Sequence, residues 1–155
     1  MRDCILETDL EVRIPDDYVN NVAERLSLYQ ELDNFTKEEE LVAFEQQLID
    51  RFGPLPQVVV ELFDSMCLRW KAQEVGFEKL VIKSGSMIGY FIADPQHSYF
   101  QSPIFTQVLN YIQTNPRGCK MSEKNNKLRL IYSNVESIRN AFNRISEILK
   151  KPENR

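Results

Sequence analysis

The sequence predicts an α+β fold, an N-terminal helical layer packed with a β-hairpin/helix/hairpin/helix unit. Three observations carry that expectation. Apolar residues recur three and four apart through successive stretches up to Val75, the spacing of buried helical faces. After Gly76 the apolar period shortens to two, the spacing of strands. Between the second and third helical stretches lies Leu48-Ile49-Asp50-Arg51-Phe52-Gly53-Pro54-Leu55-Pro56. There Gly53 suits a helix C-terminus, and the two prolines forbid continuation and pre-set the next start.

Leu10, Val12 and Ile14 alternate with Glu11 and Arg13 and predict a half-buried strand ended by Pro15. Asp16 and Asp17 then lead into a first helix, where acids complement the positive end of the dipole. Its expected apolar face is Val19, Val22, Leu26 and Tyr29. Thr36 with Glu39 three residues on has the form of a capping box. It opens a second helix with Leu41, Phe44, Leu48 and Phe52 inward. A third helix is expected over about 56–75, burying Val59, Leu62, Phe63, Met66 and Trp70, with Gly76 as its stop.

Leu80 and Ile82, followed by residues 87–92 across Ser84-Gly85-Ser86, predict a hairpin that ends before Asp94-Pro95. Ser102-Pro103 is a cap and first-turn pair for a short helix carrying Ile104, Val108, Leu109 and Ile112. A second hairpin joins 119–121 to 128–132 around Asn125-Asn126. Ser133 and Glu136 make another capping box, for a last helix with Val135, Ile138, Phe142, Ile145, Ile148 and Leu149 inward. Lys150 and Lys151 suit its negative end, and Pro152 stops it.

The length suits a single domain, 1–155, with a mainly helical part (15–76) and an α/β part (77–150) sharing one core. No apolar run nears the ~18 residues of a membrane span, and no signal-like block opens the chain. The three cysteines are widely spaced without a CxxC, so neither a disulfide framework nor a zinc site is indicated. Cys67, on an apolar helical face, reads as a small core residue, and the expected setting is a reducing cytoplasm. The net charge of −4 hides a gradient: residues 1–76 carry 17 acids and 7 bases, residues 117–155 carry 4 acids and 10 bases. The acidic front argues against a nucleic-acid footprint there, while the basic end leaves one open.

Catalytic chemistry finds no support. There is no GxxxxGK[ST] loop, no GxGxxG and no GxSxG elbow. His97, the lone histidine, sits in a polar segment and reads as a surface loop residue. Glu38, Glu39 and Glu40 are consecutive on a helix and point in different directions, so capping and dipole explain them better than a metal does. No catalytic residue, metal site or cofactor is therefore expected. Lys120, Lys124, Lys127, Arg129, Arg139 and Arg144 have the chemistry to track phosphates; Tyr132 and Phe142 fall among them, yet Phe142 lies on the apolar helical face and reads as core. They are the alternative reading, a nucleic-acid-binding accessory domain; a solvated basic face is favoured over it. Gln47, Asp50 and Arg51 share one side of their helix. They fit either a corner salt bridge, with Arg51 on carbonyls at the helix end, or a charged docking patch on a rigid platform.

LEVRIPDDYV, then RLSLYQEL, then LIDRFGPLP resembles the C-terminal domain of the bacterial transcription-repair coupling factor (Mfd) family. The blocks fall at Arg13 to Tyr18, at Arg25-Leu26 with Tyr29, and at Asp50 to Pro56; the likeness is specific over 10–76 and looser over 77–150. The resemblance implies a non-catalytic regulatory domain of a large ATP-driven DNA translocase. Such a domain docks on the UvrB-like N-terminal module of the same protein, masks its UvrA-binding surface and so restrains recruitment of nucleotide-excision repair. Contacts to RNA polymerase and DNA, like ATP and Mg, would belong to other domains of the parent. The family's docking surface includes charged positions on the helix ending in DRFG, which Asp50 and Arg51 match; the position commonly acidic there is Gln47 here.

Overall fold

The computed structural model describes residues 3–150. The chain divides into two units: Glu11–Cys67, and the residues up to Leu10 together with those from Leu68 onward. Helix α3 (Gln57–Val75) runs from the first into the second.

The first unit is helical. Helix α1 spans Val22–Asp33 and α2 spans Glu38–Phe52. Leu28 and Leu32 of α1, Leu41, Phe44 and Leu48 of α2, and Val59 and Phe63 of α3 are buried. Phe44 is central, meeting Phe35 at 5.4 Å and Phe63 at 6.0 Å in edge-to-face contacts. Each such side chain contributes about 1.5–3 kcal/mol on burial, so this short unit rests chiefly on that cluster.

The predicted face of α1 is wrong. Pro15 to Val19 form a turn, with the Tyr18 and Val19 amides donating to the Pro15 carbonyl. The helix starts only after Asn21, whose side chain accepts from the Glu24 amide. Breaking the chain there removes Val19 from the helix and leaves Val22 and Leu26 outward, 61% and 58% exposed. The α2 cap also differs. Lys37 occupies the cap position with no side-chain bond, and it is Glu40, not Glu39, whose carboxylate accepts from the Thr36 amide at 3.1 Å.

The second unit is a five-stranded sheet with helices. Strands β1 (Ile5–Thr8), β2 (Phe77–Lys83), β3 (Ser86–Phe91), β4 (Cys119–Lys124) and β5 (Lys127–Tyr132) lie in the order β1-β2-β3-β5-β4. All pairings are antiparallel except β1 with β2. Both predicted hairpins are present. Their turns put Ser84 at φ 52° with Gly85 at 76°, and Asn125 at 54° with Asn126 at 62°, the mirror-image geometry that matches strand twist. Helices α4 (Pro103–Thr114) and α5 (Ile138–Ile148) complete the unit, after a 3₁₀ turn at Ser98–Gln101.

The strand expected over residues 10–14 is not formed; the strand is Ile5–Thr8, paired with Lys79 to Ile82. Alternation alone makes no strand without a partner for its backbone. Asp9 N–H still reaches the Ile82 carbonyl at 3.2 Å; beyond it side chains take over that role, Leu10 N–H donating to Thr8 Oγ1 at 3.0 Å and Ile14 N–H to the Tyr29 hydroxyl at 2.7 Å. The final helix is capped by Ser137, which accepts from the Asn140 amide, rather than by Ser133 with Glu136. Leu109 is 40% exposed instead of inward, and Phe142 is only half-buried beneath Arg139. Cys67 is likewise half-buried, while the thiols of Cys4 and Cys119 are buried. Lys151 and Pro152 lie outside the described residues.

At the end of α3, Gly76 takes φ +108°, and a Cβ there would fall 2.2 Å from the Tyr99 ring. Tyr99 is held in place: its hydroxyl donates to the Val75 carbonyl, and its ring packs on Phe91, Phe100 and Phe105. Helix stop and aromatic cluster thus depend on the same missing side chain.

Candidate functional site

The α2–α3 corner is set by local chemistry. Gly53 closes α2 at φ +91°, its amide donating to the Ile49 carbonyl at 2.9 Å. From the turn before α1, the Tyr18 hydroxyl reaches the Gly53 carbonyl at 2.8 Å and the Leu48 carbonyl at 3.2 Å. Its ring lies 5.7 Å from that of Phe52, and burial pushes the phenol above its ordinary value, so it stays a donor. Arg25 of α1 donates to the carbonyls of Val19 at 2.6 Å and Asn20 at 3.2 Å. Tyr29 accepts from Ile14. The three sequence blocks are therefore stitched to one another by Tyr18, Arg25 and Tyr29.

On this platform the sequence-predicted site residues face water. Gln47 and Asp50 are exposed, and Asp50 accepts from Gln46 at 3.1 Å. Arg51, 54% exposed, pairs with Glu24 of α1 and lies over the Phe52 ring at 4.7 Å. The helix thus presents Gln47 and Asp50 outward, while Arg51 leans toward α1. Glu24 escaped the sequence reading: it stands 27 residues from Arg51, and no local pattern couples the two. Its place in the first turn of α1 offers only a dipole signal.

The basic residues scatter over two structures. Lys120 and Lys124 lie on β4, Lys127 and Arg129 on β5, all but Arg129 exposed. Arg129 donates to Ser122 at 3.3 Å. On α5, Arg139 is exposed, but Arg144 is committed to structure. It donates to the carbonyls of Gly118, at 2.6 Å, and Ser133, and stacks over the buried Tyr132 ring. His97 is exposed and accepts the Tyr99 amide at 3.0 Å, capping the 3₁₀ turn. Among the described residues no His, Cys, Asp and Glu cluster has metal-binding geometry. Among the described residues no helix is long and apolar enough to cross a membrane.

Residues 8–102, which include the whole α2–α3 corner, match the family model of the TRCF domain. The chain belongs to the TRCF domain family. It is 32% identical over 116 residues to the transcription-repair-coupling factor of Escherichia coli (strain K12), covering 63% of this chain and 10% of that protein. With the coupling factor of Rickettsia prowazekii (strain Madrid E) it shares 26% identity over 140 residues, 90% of this chain and 12% of the relative. The chain thus spans about a tenth of the length of these TRCF relatives. A solved C-terminal domain of transcription-repair coupling factor superposes with a TM-score of 0.74. That match covers 95% of this chain and 94% of the other at 15% identity, a likeness of fold. The TRCF match stops just before α4, so the hairpin of β4 and β5 and helix α5 lie outside it.

Proposed function

We propose that this chain is a non-catalytic regulatory domain of a transcription-coupled DNA repair factor. It docks on the UvrB-like N-terminal module of the same protein, masks UvrA binding there and restrains activity. The observation that carries this reading is the outward placement of Gln47 and Asp50 on a corner pinned by Tyr18, with Arg51 beside them. Membership in the TRCF family supports it.

The physics is that of a tethered competitor. A flexible tether gives about millimolar effective concentration, so contacts that are weak singly keep a site covered. Exposed ion pairs contribute ~1 kcal/mol or less each, and polar interdomain interfaces separate readily. Binding of RNA polymerase or DNA by other parts of the parent then shifts the balance toward the open arrangement. The test is Asp50→Ala with Arg51→Ala in the full-length factor, read by capture of UvrA. Greater UvrA capture, with the melting of the 155-residue chain unchanged, is the expected result. Unchanged capture would overturn the site, and loss of folding would assign the pair to structure instead.

A further inference from the structure

The strand register gathers charges that the sequence leaves dispersed. One row across all five strands is Ile5, Lys79, Tyr90, Arg129 and Ser122. The next is Glu7, Val81, Ile88, Ile131 and Lys120. Side chains alternate between sheet faces, so both rows lie on one face, with Lys83, Lys124 and Lys127 continuing it at the strand ends. On the opposite face, Leu80, Ile82, Met87, Phe91, Leu130 and Tyr132 are 3% exposed or less. Every residue of the two rows, by contrast, retains access to solvent.

We propose that this face binds a single-stranded nucleic acid. In a chain of net charge −4, it carries six cations, Lys79, Lys83, Lys120, Lys124, Lys127 and Arg129. The carboxylate among its rows is Glu7, already held by Lys79 at 3.0 Å and Lys83 at 3.9 Å. The middle is apolar: Tyr90, with Lys79 5.8 Å from its ring centroid, beside Val81, Ile88 and Ile131. Phosphates need cations at a rim, and unpaired bases need an aromatic and aliphatic floor. Half-buried Arg129, next to Tyr90, is steadied by Ser122, to which it donates at 3.3 Å.

The chemistry of the floor favours a single strand over a duplex. Aromatic and aliphatic side chains offer stacking to unpaired bases, which a duplex keeps within its own stack. An acidic protein segment would satisfy the cations and leave the aromatic floor without a purpose. The face also revises the sequence-level basic set: Lys79 and Lys83 enter it, while Arg139 and Arg144 belong to α5.

The test is fluorescence anisotropy of a labelled twelve-residue oligothymidylate with the 155-residue chain at 50 and 200 mM salt. A duplex of equal length and polyglutamate serve as competitors. Neutralising about four phosphates predicts roughly 50-fold weaker binding at the higher salt. Tyr90→Leu should weaken binding about tenfold with the salt slope kept. Lys120→Gln with Lys127→Gln should lower the slope by about 1.4; both side chains are exposed, so this variant serves even where Tyr90→Leu does not fold. No binding at 50 mM salt would overturn the proposal. So would duplex competing as well as the single strand, or polyglutamate displacing the strand at equal charge.

Discussion

Tyr18 is the residue on which the helical corner turns. Its hydroxyl serves two carbonyls, of Leu48 and Gly53, 30 and 35 residues away. Tyr18→Phe removes that link and should cost about 1 kcal/mol, measured as a lower urea midpoint. Under the docking proposal the same change should raise UvrA capture by the full-length factor, because the corner no longer holds Asp50 in place. Glu24→Gln frees Arg51 at a smaller cost, below about 1 kcal/mol, since Arg51 is exposed and Glu24 keeps a third of its side chain in solvent. Repeating the unfolding in 1 M salt should erase that difference. None of these long-range bonds was legible in the sequence. Tyr18, Arg25 and Tyr29 stood out as motif residues, yet what each one holds depends on chain folded back from far away.

Elements whose cause is local were legible: α2, α3 and α4, both hairpins, the Ser102-Pro103 start and the Gly53 and Gly76 stops. Where the cause is a distant partner, periodicity misled. Strand β1 exists because β2 lies beside it, and α1 turned its Val22 and Leu26 outward because the chain breaks at Asn21. The stop after α3 gives the sharpest element-scale test. Gly76→Ala sets a Cβ into the Tyr99 ring and forces φ +108° on a residue that resists it. With Tyr99 anchored on Val75 and packed among aromatic rings, a loss of about 2–4 kcal/mol is expected, read by thermal unfolding.

At the scale of the molecule, burial fixes a response to alkali. It pushes the Cys4 thiol from 9.0 up to about 12, and it raises the Tyr111 phenol, beside Glu147, from 10.0 to about 12. Tyr99 and Tyr132 move in the same direction for the same first cause. The folded state therefore keeps protons that the unfolded chain releases from about pH 9 onward. Stability from these groups is complete below pH 9 and drains away as pH climbs toward 12. Urea midpoints at pH 8, 9.5 and 10.5 should fall in that order, and equal midpoints would refute the assignment.

The parallel pairing of Ile5 with Lys79 also sets a timetable for synthesis. At 5–20 residues per second, a ribosome needs roughly 4–15 seconds to travel from one to the other. Throughout that interval β1 lacks the strand it zips onto, while the residues from Glu11 to Cys67 already hold what they need to collapse. Pairing at the β1 margin therefore waits on β2, and a chain arrested in synthesis before residue 79 would leave Ile5–Thr8 open to proteases.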